Sequence, residues 1–169
     1  MMIGWALDKL IFAMGFVTGG TLPGFLAQYR QRLGGRLDQL QEDLAHFESI
    51  AAQQFDGDLQ QLIAHHRASN DTTFRAEGEA VASMATQLDQ YSQAYASMDG
   101  GAFGQTWTMV SHWDQALIQS VWADFVPAMA YSLDGLVMAL CGGFLASLLF
   151  GAPIALLKWR GRRLRYRKL

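Results

Sequence analysis

The chain has 169 residues, 51% of them hydrophobic, with 13 basic and 15 acidic residues and a formal charge of −2. That length suits one compact unit, and the single cysteine, Cys141, excludes an intramolecular disulfide and a thiolate metal cluster. The average composition does not mark a membrane protein; the distribution of apolar residues along the chain does.

Residues 1–27 read as a short N-terminus and a first transmembrane helix. The run from Leu10 to Ala27 carries no charge, and its length is near the lower limit for a span. A cleaved signal peptide fits less well. Asp8 lies beside Lys9 where a basic region is wanted, and a cut after Ala27 would put Phe25 where a small residue is needed. Asp8 and Lys9 sit close enough to the end of this run to reach headgroups.

Residues 28–134 hold five basic residues against fourteen acids, which leaves the segment at −9. Its pattern is helical. Leu33, Leu37, Leu40, Leu44, Phe47 and Ala51 recur at alternating spacings of four and three, a heptad-like seam. Pro23 with Gly24 is expected to end or kink the helix, and Gly34 with Gly35 to make a bend or weak point within it. Gly57 interrupts it and Asp58 to Arg67 resumes it. "RASNDTTF" is a polar break with capping residues. The next helix, about Thr72 to Met98, carries Phe74, Val81, Leu88 and Tyr95 seven apart, with Met84, Tyr91 and Met98 as a companion row. "MDGGAFG" breaks the chain again. A third helix, about Gln105 to Asp124, is predicted with Trp107 or Met109, Val110, Trp113, Leu117, Val121 and Phe125 on one side. The segment reads as an acidic helical extracytoplasmic domain, a hairpin or small bundle.

Residues 135–157 carry no charge. At about 1.5 Å per residue, a helix of that length reaches roughly 34 Å, enough to cross a hydrocarbon core. Small residues recur every fourth position: Gly135, Ala139, Gly143, Ser147, Gly151 and Ala155. In the first span Gly15 with Gly19, and Gly20 with Gly24, make two GxxxG pairs. Such faces let helix backbones approach closely in lipid. They serve either packing of one span on the other or packing against another chain.

Residues 158–169 form a basic tail of seven cations and no acid: Lys158, Arg160, Arg162, Arg163, Arg165, Arg167 and Lys168, interleaved with Trp159 and Tyr166. Placed directly after a span, it reads as a topology anchor in the headgroup region, with anionic lipid the sharper alternative and nucleic acid set aside. Cationic flanks stay cytoplasmic, so both termini lie there and the acidic segment lies across the membrane, in the periplasm of a two-membrane bacterium. Arg30, Arg32 and Arg36 count for the opposite orientation and are outnumbered.

No catalytic fingerprint occurs. GxSxG, P-loop and dinucleotide motifs are absent, and His46, His65, His66 and His112 lack the spacing of a zinc site. Catalytic, cofactor and metal residues are therefore expected to be none.

The stretch "LPGFLAQYRQRLGGRLDQL" at residues 22–40 resembles the hallmark of an uncharacterised bacterial family of small two-span membrane proteins, the domain of unknown function numbered 2937. In that family a Pro and a Phe close the first span and a Gln-Tyr-x-Gln-Arg-Leu run opens the next helix. Here those positions are Pro23, Phe25, Gln28, Tyr29, Gln31, Arg32 and Leu33. "FVPAMAYSLDGLVMALCGG" resembles the start of the family's second span, although the family carries a second Pro where this chain has Ala130 or Tyr131. The resemblance implies the two-span layout and transfers no activity. From the residues themselves, the motif reads as a membrane-exit anchor or a partner-docking site.

The expected fold is thus all-α, with two transmembrane helices flanking an extramembrane helical hairpin or small bundle. The expected function is that of a non-enzymatic integral membrane accessory or scaffolding protein, associated with another membrane protein or with itself. The alternative is a homo-oligomeric channel or transport component.

Overall fold

The structure, a computed structural model, describes residues 2–129 and 132–151. Among the described residues the chain is all-α, with six α-helices and no strand. They are α1 (Met2–Gln54), α2 (Leu59–Arg67), α3 (Thr72–Ala96), α4 (Ala102–Ser111), α5 (Gln115–Asp124) and α6 (Leu133–Ala146). A 3₁₀ turn, Ser97–Asp99, follows α3, and α6 runs on into a π-helical turn, Ser147–Gly151. The chain divides into two compact units: residues 1–28 with 120–169, and Tyr29–Gln119.

The first unit is built on α6 and the first half of α1. Pro23 lies inside α1 rather than at its end. The helix does not end at Pro23 and Gly24, and it also runs on through Gly34 and Gly35. Pro23 removes the N–H that would bond the Gly19 carbonyl, a local loss that a long apolar helix tolerates. Upstream, the Thr18 and Thr21 hydroxyls donate to the Met14 and Thr18 carbonyls, each at 2.9 Å. That geometry satisfies the side chain and bends a helix slightly. Ser132 caps α6 by accepting from the Gly135 N–H at 3.0 Å. Asp134 lies in the first turn of α6, where the helix dipole favours an acid.

Among the described residues two helices are long and apolar enough to cross a membrane, Trp5–Gln54 and Leu133–Gly151. The second begins just before the uncharged run that announces it in the sequence. Positions 152–169, with Ala155 and the whole basic tail, lie outside the described residues, as do Ala130 and Tyr131.

The second unit is held by an apolar seam. Leu44, Ile63 and Val81 form its buried centre, with Phe47, Leu59, Met84 and Leu88 packed around them. Burying each such side chain contributes roughly 1.5–3 kcal/mol. The turn after α1 reverses through Asp56 at φ 52° and Gly57 at φ 83°. This is the left-handed region that glycine enters without penalty. Asp58 then caps α2 by accepting from the Gln60 N–H at 2.8 Å and from the Gln61 N–H at 3.3 Å, as an N-cap aspartate does. Asp71 caps α3 through the Thr73 N–H at 2.7 Å. The α2–α3 pair closes tightly at Gly78, where a Cβ would come within 2.9 Å of the His66 Cβ. Arg67 and Glu79 bridge the same pair with two parallel hydrogen bonds, of 2.9 Å and 2.8 Å, the bidentate geometry that suits a guanidinium and a carboxylate.

The predicted third helix is two helices. The chain leaves helical geometry at His112, and Asp114 starts α5 by accepting the Leu117 N–H at 2.9 Å. The break changes which sides face inward. Leu117 and Val121 on α5 are buried as expected, but Trp107, Val110 and Trp113 are exposed, and α4 buries Ala102 and Thr108 instead.

Candidate functional site

Two features are built with enough care to have a role, one in each unit. The first is the contact between α1 and α6. It is antiparallel: as residue number rises along α1 it falls along α6, from Phe12 beside Phe144 to Gly20 beside Ala139. Gly15 faces Gly142, and a Cβ on either would run into the other's carbonyl oxygen. One on Gly15 would also come within 2.5 Å of the Ala146 Cβ. Gly19 faces the Met138 carbonyl in the same way. Gly20 lies against the Ala139 and Met129 side chains, each 3.2 Å from where its Cβ would be, and a Cβ on Gly24 would lie in ordinary contact with the Ala128 carbonyl, at 3.5 Å. The approaches at Gly15, Gly19 and Gly142 are to backbone, which only small residues permit.

On α6 the row that meets the GxxxG glycines is Met138, Gly142 and Ala146. Of the expected stripe, Ala139 meets Gly20, and Gly143 holds the Phe12 ring, 2.7 Å from where its Cβ would be. Gly135 is buried. Ser147 lies in the π-helical turn, and at Gly151 a Cβ would come within 2.7 Å of the Asp8 carboxylate oxygen. Gly142 is the member that the sequence reading missed. Its signal was the Gly142–Gly143 doublet, which offers small residues to two adjacent helix rows.

In the membrane-exit motif, Pro23, Gln28 and Arg32 are half-buried, Gln31 is exposed, and Phe25, Tyr29 and Leu33 are buried. Within the first unit the Phe25 ring meets Phe125 edge-on at 5.2 Å and Trp122 at 6.0 Å.

The second feature lies in the second unit, where Tyr29 and Leu33 line a cleft of about 690 Å³ with Tyr91, Ala94, Trp113 and Asp114. At its edge Arg36 donates to Asp114 at 3.0 Å and to the Tyr91 oxygen at 3.3 Å, and the Tyr91 hydroxyl donates to Asp114 at 3.0 Å. Burial pushes the Asp114 carboxyl up, but the Leu117 N–H, the Tyr91 hydroxyl and the Arg36 charge together outweigh it and hold the group below its ordinary value. Burial raises Tyr29, and the neighbouring Asp114 and Tyr91 raise it further, so its phenol stays neutral. A carboxylate held ionised and already shared among a cap, a phenol and a guanidinium is a weak proton acceptor. The network ties α1, α3 and the start of α5 together; in the sequence Arg36 reads only as a charge bearing on orientation, and nothing there pairs it with Asp114.

The arginines after the first span are also engaged. Arg30 pairs with Asp99 and lies over the Tyr95 ring at 5.0 Å. Among the described residues no three His, Cys, Asp or Glu side chains gather as a metal site would require.

One family model, described as a protein of unknown function (DUF2937), matches residues 3–163. No curated protein and no solved structure matches the chain.

Proposed function

The chain belongs to that family of unknown function, and we propose that it is a non-enzymatic integral membrane accessory or scaffolding protein. It associates with another membrane protein or with a second copy of itself. The observation that carries this reading is the exposure of the two long apolar helices. Only 17% of the apolar window of the first and 22% of that of the second is buried within the structure. The core helix of a water-soluble protein is mostly buried. Here Leu10, Met14, Val17, Leu136, Leu145 and Leu148 point outward, a surface that needs lipid or protein cover.

The glycine rows refine the reading. Because Gly15, Gly19 and Gly142 are engaged between α1 and α6, a partner meets the outer sides of this pair or the second unit. The layout that fits is a membrane hairpin of α1 and α6 with Tyr29–Gln119 as an acidic head on the far side. The tail cations, seven with no acid among them, favour cytoplasmic termini and a periplasmic head in a bacterial inner membrane.

Native mass spectrometry of protein extracted gently from its own membrane, at native expression, tests the association. A reproducible complex with another protein or a closed homo-oligomer supports the proposal, and conductance in liposomes then separates scaffold from channel. A bare monomer contradicts it.

A further inference from the structure

One surface of the second unit shares only Trp113 with the cleft described above. Helix α4 turns Ala102 and Thr108 inward and leaves Phe103, Trp107 and Val110, spaced four and three apart, on the opposite side. They are exposed by 60%, 73% and 52%, and Trp113, just past the helix, by 62%. We infer that this side of α4 lies in the headgroup region of a lipid bilayer. That placement rests on the membrane reading above.

The charge pattern selects lipid as the occupant. Residues 28–134 carry −9, so an anionic leaflet repels most of the segment. The stretch from Gly100 to Trp113 has no Asp, Glu, Lys or Arg and is the longest acid-free run of the segment. It is also where the two Trp side chains of the second unit lie, rings whose apolar body and polar N–H suit the boundary between headgroups and acyl chains.

A second copy is the weaker occupant. Four side chains at these exposures offer roughly 500 Å², short of the roughly 800 Å² per partner that a stable dimer buries.

The test uses the full chain in liposomes of phosphatidylcholine and phosphatidylglycerol, with a spin label at one cysteine at a time. Native Cys141, exposed on α6, serves as the membrane reference. In a Cys141→Ser background, Ser83→Cys on exposed α3 serves as the water reference, and Val110→Cys reads α4. The expected oxygen-to-nickel accessibility ratio at Val110 is several-fold above that at Ser83. Adding Trp107→Glu and Trp113→Glu should return it to the Ser83 value. A Val110 label that matches Ser83 while Cys141 stays lipid-exposed overturns the inference and leaves the membrane reading standing. Spin–spin broadening at Val110 overturns it in favour of a second copy. A Cys141 label that is itself water-exposed removes the membrane reading and the inference together.

Discussion

Gly15 of α1 and Gly142 of α6 face each other so closely that a side chain on either would collide with the other's backbone carbonyl. A backbone contact of this kind cannot be relieved by a rotamer change. Gly142→Val should therefore destabilise the helix pair by at least the roughly 1–3 kcal/mol typical of overpacking. Thermal unfolding of the full chain in detergent micelles reads the loss, and Gly15→Val should behave alike. An unchanged midpoint in both would mean that α1 and α6 do not meet at this point.

Gly35 provides the opposite case. It lies inside α1, exposed, with nothing within 4 Å of where a Cβ would sit. Gly35→Ala should stabilise the chain by about 0.5–1 kcal/mol through helix propensity alone. The contrast between Gly35→Ala and Gly142→Val separates glycines placed for packing from one that is merely tolerated.

At Gly78 a new Cβ would meet the His66 Cβ at 2.9 Å, the Arg67 nitrogen at 3.2 Å and the Ile63 carbonyl at 3.3 Å. Two of these three neighbours are backbone, so α2 must shift. Gly78→Ala should weaken the α2–α3 pair by about 1–3 kcal/mol, and hydrogen exchange of α2 amides should rise before that of α6.

The Asp114 network predicts a pH dependence of defined sign. The folded carboxyl lies below its ordinary value. Its contribution is therefore fully present above the unfolded pKa, about 3.9, and is lost as pH falls through the lower folded value. Asp114→Asn keeps an oxygen to cap α5 but removes the charge that Arg36 meets. The variant should be less stable than the native chain at pH 7, by about 1 kcal/mol. The gap should close on acidification below about pH 4. Asp114→Ala loses the cap as well, a further cost of about 1 kcal/mol. Urea unfolding followed by circular dichroism at pH 7 and pH 3 checks both.

Much of the helical plan is legible in the residues because burial follows periodicity. Leu33, Leu44 and Ala51 are buried at the spacings that announce them, and Gly57, Asp58 and Asp71 break and cap where their backbone chemistry requires. The break at His112 to Asp114 was illegible for a physical reason. No Gly or Pro marks it, and the signal is an aspartate whose carboxylate competes for the next helix's first N–H groups. That break rotates α4 relative to α5, so one apparent apolar row of Trp107, Val110, Trp113 and Leu117 divides into an exposed part and a buried part. The glycine contact was half legible. Spacing identified Gly15 and Gly19, but a stripe of small residues has two flanks, and only the structure selects Gly142 as the one opposite Gly15. The Arg36–Asp114 pair joins residues 78 positions apart, a distance at which no local pattern speaks.

The proposed hairpin of α1 and α6 across a membrane, with the acidic head on one side, is tested most directly by mass-tagging with a membrane-impermeant maleimide in sealed, right-side-out native membranes. In a Cys141→Ser background, Ser83→Cys in the head should be tagged at once. A cysteine at Met2 should be protected until the membranes are opened, and the protein should resist extraction by alkaline carbonate. Equal tagging of Ser83→Cys and Met2→Cys in sealed membranes, or release of the chain by carbonate, would contradict the account.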